Sequence, residues 1–259
     1  MPSPFDMTLL FLLALGLMGF VMKLMAMLRP ARGTEAGAKF VYSPLLSPSS
    51  PVRARQAGDA GWLFRQSCLY AAFTVAGYWS YWRLVVMWQP REWFLGYLAA
   101  PILLLLAETV NVLVPLLWLP TGWRLPSLVN HPALARGTTD FWGRRWNLWF
   151  SDWFRYAIFS RMRDQPVQAL FAVFAVFAVS GLMHEWVINV PLYFLTGRKY
   201  FGTMMIYFLL QPVAMLVERR FLARAPRARV ALAWLAVVGP VPLLLNEGLL
   251  RVIGLWPGD

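Results

Sequence analysis

Six long apolar runs separated by polar stretches constrain this chain more than any other feature. They are Phe5–Leu28, Trp62–Met87, Trp93–Leu119, Pro166–Leu195, Tyr200–Val217 and Val230–Ile253. A helix needs about 20 residues to cross hydrocarbon, where its backbone must satisfy its own hydrogen bonds. The chain is therefore predicted to be all-α, a polytopic integral membrane protein of about six transmembrane helices forming one domain over residues 1–259. Composition agrees: 59% of residues are hydrophobic and 14% charged, against about 45–50% and 25% in soluble domains. The first run lacks a basic leader, since Asp6 stands at its start, and is read as a retained span. The single cysteine, Cys68, rules out an internal disulfide.

The net charge of +12 is unevenly placed. Most Lys and Arg fall in three alternate connections, exemplified by Arg53 and Arg55, by Arg136, Arg144 and Arg145, and by Arg219, Arg220 and Arg224. The intervening connections hold only Arg83 with Arg91, and Arg198 with Lys199. Such alternation predicts cytoplasmic basic loops and both termini outside. The membrane is the inner one in a bacterium or the endoplasmic reticulum in a eukaryote. Basic loops that abut a bilayer speak for lipid rather than nucleic acid as the partner of this charge. Residues 30–61, rich in Pro, Ser and Gly, read as irregular. Pro240 and Pro242 should kink or break the last span.

Two segments carry chemistry. From about 138 to 162 the chain is too polar to span, yet it is periodic. Asp140, Arg144, Asn147, Ser151 and Arg155 follow at helical spacing, and Trp142, Trp146, Trp149 and Trp153 repeat that spacing on a second face. The segment is expected to form an amphipathic or re-entrant helix on the cytoplasmic side, its indoles at the interface. A plain anchoring helix would look the same, apart from the donor-rich patch around Asn147. The second segment places His184, one of only two histidines, inside the fourth apolar run. An ionisable group at the bilayer centre costs about 2.5–3.5 kcal/mol on insertion scales, so this one needs an explanation. Hydrocarbon favours the neutral imidazole, the state a general base requires. Ser180 and Gly181, one turn earlier, either leave open volume beside the ring or allow close helix packing. Glu108 with Asn111, three residues apart, either glue helices or line a cavity. His131, before Pro132, reads as a turn residue. The histidine spacing suggests no metal site.

Thr139-Asp-Phe-Trp-Gly-Arg-Arg-Trp-Asn147 and Val179-Ser-Gly-Leu-Met-His-Glu185 together resemble the membrane-bound O-acyltransferase superfamily. The likeness is greatest to its wax synthase branch, the long-chain-alcohol O-fatty-acyltransferases, and covers residues 126–195. It implies that Asn147 and His184 are the catalytic pair and that the reaction joins a fatty acyl group from acyl-CoA to a lipophilic alcohol. Acyl-CoA is then a co-substrate, and no bound cofactor is expected. Superfamily members commonly have eight or more spans, so this chain is short by comparison. Arg144 and Arg145 suit the phosphates of CoA. Trp142, Trp146, Ser151, Ser180 and Glu185 complete the expected substrate-binding set. A sterol, a glyceride or a secondary metabolite are alternative acceptors. A non-catalytic lipid-binding or scaffolding role is the alternative of another class. Oligomeric state is not legible.

Overall fold

The computed structural model of the chain describes residues 4–27, 52–159 and 166–258. Most of the predicted irregular loop, the end of the predicted 138–162 helix, and Arg161 and Arg163 lie outside them. Within the described residues the chain is almost wholly helical. The helices are α1 (Pro4–Met27), α2 (Asp59–Trp88), α3 (Glu92–Trp118), α4 (Thr138–Arg144), α5 (Leu148–Phe154), α6 (Pro166–His184), α7 (Val190–Thr196), α8 (Thr203–Phe221), α9 (Pro226–Val238), α10 (Val241–Leu244) and α11 (Glu247–Val252). A two-residue antiparallel ladder pairs Arg53–Ala54 with Trp123–Arg124. It is fastened by Asp59, which binds Arg53 at 2.7 Å and Arg124 at 2.5 Å. The Arg53 guanidinium, then the Gln56 N–H, hold the Asp59 carboxyl well below the usual carboxylate range.

Four stretches of helix are long and apolar enough to cross a bilayer among the described residues: Asp6–Leu24, Glu92–Thr121, Gln168–Thr196 and Pro226–Leu244. The predicted runs at Trp62–Met87 and Tyr200–Val217 also form long helices, α2 and α8. They fall short in apolarity because α2 carries Arg65, Gln66, Tyr78, Tyr81 and Arg83, and α8 carries Gln211 and ends in Glu218-Arg219-Arg220. Several of these polar groups serve the fold. Tyr81 Oη donates to the Leu255 carbonyl at 2.6 Å, and Tyr78 to that of Ile253. Large apolar side chains such as Leu13, Phe73, Trp79 and Leu117 remain exposed on the outer faces, as lipid-facing helices require.

Two predicted elements differ in form. The last apolar run, Val230–Ile253, is three pieces, because α9 stops before Gly239-Pro240 and Asn246 caps α11 through the Leu249 N–H. Proline removes a backbone donor and clashes with the preceding turn, as its positions foretold. Glu247 behind that break is buried and bound by Arg198 at 2.5 Å and Arg251 at 2.8 Å. The predicted single helix at 138–162 is instead α4, a break at Arg145–Asn147, α5, and a π-helical turn at Arg155–Phe159. Residues 128–130 cause the break by taking the backbone groups a continuous helix would have used. The Asn130 N–H donates to the Arg145 carbonyl, and the Leu148 N–H to that of Leu128, both at 2.8 Å. The stripe from Asp140 to Arg155 is therefore not one helical face.

The main core gathers Tyr81, Leu95, Ile102, Phe177, Ile188, Tyr207, Phe208 and Leu250 from α2, α3, α6, the turn after it, α8 and α11. Trp142 packs on its edge, which brings the α4 segment against α6 and α8.

Candidate active site

His184 is the last residue of α6, and the helix continues through a π turn, Glu185–Asn189, into α7. Such turns concentrate at functional sites. The imidazole Nδ1 lies 2.7 Å from the Ser180 carbonyl oxygen. A carbonyl oxygen can only accept, so Nδ1 carries the proton and a neutral ring presents Nε2 as a bare acceptor. Among the described residues nothing hydrogen-bonds Nε2. The ring lies against Phe208, 4.4 Å between centroids. Ser180 thus contributes its backbone oxygen. Gly181 does not open a space beside the ring: a Cβ there would meet Met205 Sδ at 2.9 Å and its Cα at 3.1 Å. The small residue serves the close crossing of α6 and α8.

Asn147 sits at the break, with φ 45° and ψ 57°. Asn tolerates this left-handed conformation better than other residues with a Cβ. It stands at the N-cap position of α5, yet its side chain makes no capping bond. Among the described residues its Oδ1 is sealed from solvent without a partner, and its Nδ2 bonds none of them. A buried polar atom without a protein partner is costly and calls for an explanation, such as a role in the chemistry, a bound water or local strain. The turn itself is stapled. Trp146 N–H returns to the Phe141 carbonyl at 2.9 Å, and Ser151 Oγ donates to the Trp142 carbonyl at 3.0 Å.

The two motif segments meet through α8. Phe208, against which His184 lies, also touches Trp142, at 5.9 Å between centroids. Trp142 packs edge-on against Phe177 of α6 and donates Nε1–H to Gln211 Oε1 at 3.0 Å. Trp146 stacks on Phe141. The other expected binding residues divide. Arg144 is exposed. Arg145 is committed to the protein: Nε binds Asp140 at 2.6 Å and Nη1 donates to the carbonyls of His131 and Asn130. Asp140 is raised by burial, but the Arg136 N–H and Arg145 outweigh this and leave its carboxyl below the usual range. Glu185, expected beside substrate, spends both oxygens on protein donors. Oε1 accepts from Met204 N and Met205 N at 3.0 and 3.1 Å, and Oε2 from Asn189 Nδ2 at 2.7 Å.

Residues that the spacing did not flag also converge here. Gln211 is fully buried, and Glu218 Oε2 accepts the Thr138 N–H at 2.5 Å. Polar side chains in the apolar run that forms α8 were the available signal. A cleft of about 340 Å³ is lined among others by Tyr70, Glu108, Asn111, Asn130 and His131. His184 does not line it. Asn111 donates to Glu108 at 3.2 Å and accepts from Leu128 N at 2.7 Å, so the pair docks the 128–131 loop as well as lining this cleft. His131 occupies the expected turn, at φ 45°.

Residues 125–210 match the family model for "Membrane bound O-acyl transferase family". Over 170 residues the chain is 30% identical to the probable long-chain-alcohol O-fatty-acyltransferase 6 of Arabidopsis thaliana, covering 64% of this chain and 47% of that protein. Identity to the probable long-chain-alcohol O-fatty-acyltransferase 3 of the same plant is 32% over 157 residues, covering 58% and 44%. It is 36% over 101 residues to the long-chain-alcohol O-fatty-acyltransferase of Simmondsia chinensis, covering 34% and 26%. The chain spans about half the length, or less, of these relatives. The resemblance expected from the two motifs holds, in the expected branch. The chain is related to the membrane bound O-acyl transferase family through the segment that carries both Asn147 and His184.

Proposed function

We propose that this chain transfers a fatty acyl group from acyl-CoA to the hydroxyl of a long-chain alcohol, giving a wax-type ester. The reading is carried by one observation: in a single family-matched segment, His184 and Asn147 each keep a nitrogen unspent on any described residue. Nε2 of His184 accepts the acceptor's hydroxyl proton as its oxygen attacks the thioester carbonyl carbon, an assistance typically worth about 10²–10⁴-fold. The Asn147 amide N–H donates to the carbonyl oxygen as it gains charge. Collapse of the tetrahedral species breaks the carbon–sulfur bond, and the departing CoA sulfur takes the proton from Nε2. Nδ1 holds its proton on the Ser180 carbonyl throughout, which keeps the ring oriented.

Arg144, exposed beside the turn, suits a CoA phosphate. The acyl and alkyl chains lie among the helices and membrane lipid. The six long helical runs are six spans in this reading, with the basic connections cytoplasmic. The test uses membranes containing the chain, supplied with labelled palmitoyl-CoA and hexadecanol. Ester formation that disappears in His184→Ala supports the reading. Transfer to a sterol or diacylglycerol alone moves the acceptor to another class. No ester with any acceptor, from folded protein, favours a lipid-binding scaffold.

A further inference from the structure

Helices α4 and α8 begin in the same unusual way. Each follows a glycine, Gly137 or Gly202, whose missing side chain cannot cap the exposed N–H groups of the first turn. Each takes its cap instead from a carboxylate far along the chain. Glu185 caps α8 through the N–H groups of Met204 and Met205. Glu218, in the last turn of α8, caps α4 through the N–H of Thr138 at 2.5 Å and that of Thr139 at 3.4 Å. Both carboxylates are buried. Gly137 is required for the second contact, because a Cβ there would stand 2.7–2.8 Å from the Glu218 carboxylate.

The two caps make α8 a strut. Its first turn is fixed by the residue next to His184, and its last turn fixes the helix that leads into Asn147. Between them Phe208 touches both the His184 and Trp142 rings, and Gln211 accepts from Trp142. A buried carboxylate is weak evidence for stability, since well-packed apolar groups often serve as well or better, so its geometric role is the one to test.

We propose that Glu218 is a positioning residue: from the last turn of α8 it sets the Asn147 turn against His184. The proposal rests on the acyl-transfer reading for its kinetic consequence and on the structure for its geometry. The full chain in detergent, assayed with palmitoyl-CoA and hexadecanol, provides the test. Glu218→Ala should lower kcat at least tenfold and leave KM for palmitoyl-CoA within about twofold. Glu218→Gln keeps an oxygen for the Thr138 N–H and should stay within about threefold of wild type. In an Asn147→Ala background the further loss from Glu218→Ala should be under twofold, because the group being positioned is gone. An equal loss in both backgrounds, or wild-type kcat in Glu218→Ala, overturns the proposal. If Glu218→Ala does not fold, Gly137→Ala displaces the same carboxylate and is read the same way.

If the wild-type chain makes no ester, the acyl-transfer reading fails, and hydrogen exchange still decides the strut. Amides of residues 138–147 should exchange at least tenfold faster in Glu218→Ala or Gly137→Ala, with residues 169–184 unchanged. Unchanged exchange at 138–147 overturns it.

Discussion

His184 lies within a continuous run of helix and takes its orientation from a carbonyl one turn earlier, whereas Asn147 lies at a break between two seven-residue helices. The histidine's own contacts are one backbone carbonyl and one aromatic ring, Ser180 below it and Phe208 beside it, with Gly181 closing the helix crossing. The turn that carries the asparagine is held by polar groups of several segments, among them Asn130, Leu128, Arg145, Asp140 and Glu218. Helix packing therefore secures the proposed base, and a set of charge-assisted hydrogen bonds secures the proposed oxyanion donor. Changes in surface chemistry should reach Asn147 and leave His184 in place.

The largest expected effect is at the histidine. His184→Ala should lower kcat by about 10²–10⁴-fold with little change in thermal stability, since the imidazole makes one backbone hydrogen bond and one ring contact. Steady-state ester formation and a melting curve on the same preparation check both halves. Near-wild-type turnover would remove the base from the mechanism. At the other motif, Asn147→Ala removes the carboxamide and also burdens the left-handed backbone, by about 1 kcal/mol. Asn147→Gly removes the carboxamide alone, because glycine adopts φ 45° freely. Both should lose about 10²-fold in kcat, and only the alanine variant should melt earlier. Wild-type kcat in Asn147→Gly would make Asn147 a turn residue and nothing more.

This contrast also explains what was legible from sequence. The apolar runs announced their helices because a span must close its own hydrogen bonds, so hydropathy reports it directly. His184 was legible for the same reason, as one of the few ionisable groups in an apolar run. The form of the 138–162 segment was not. Its period is helical, but residues 128–130 compete for the backbone of Arg145 and Leu148, and no periodicity inside the segment records a competitor. The caps on α4 and α8 come from 80 and 19 residues away, beyond the reach of a capping-box pattern. Glu185 was legible as an unusual residue. Its partners were not.

Arg144 and Arg145 sharpen the comparison next, because neighbouring residues of one type occupy opposite environments. Arg145→Ala strips Asp140 of its guanidinium and frees the His131 carbonyl, and should destabilise the turn by about 1–3 kcal/mol. Arg144→Ala should leave the melting temperature unchanged and raise KM for acyl-CoA by up to about tenfold, the value of one phosphate contact. A melting shift from Arg144→Ala together with none from Arg145→Ala would reverse the division between ligand-facing and structural arginines.

The smallest expected effect is on pH dependence. Asp140 is held below the usual carboxylate range in the folded chain, despite its burial, by the Arg136 N–H and Arg145. A depressed folded-state pKa contributes stability above the unfolded value, about 4, and that contribution is lost as pH falls below it. Protection from hydrogen exchange, measured against the intrinsic amide rate at each pH, should accordingly fall at residues 130–147 between pH 6 and pH 3 while residues 169–184 stay protected. Asp140→Asn should be less protected at 130–147 at pH 6 already, and its protection there should change little on acidification. Persistence of the acid sensitivity in Asp140→Asn would remove Asp140 as its source. Matching acid sensitivity at both segments would mean that Asn147 is held by the same packing as His184. The polar fastening of the turn would then be incidental to it.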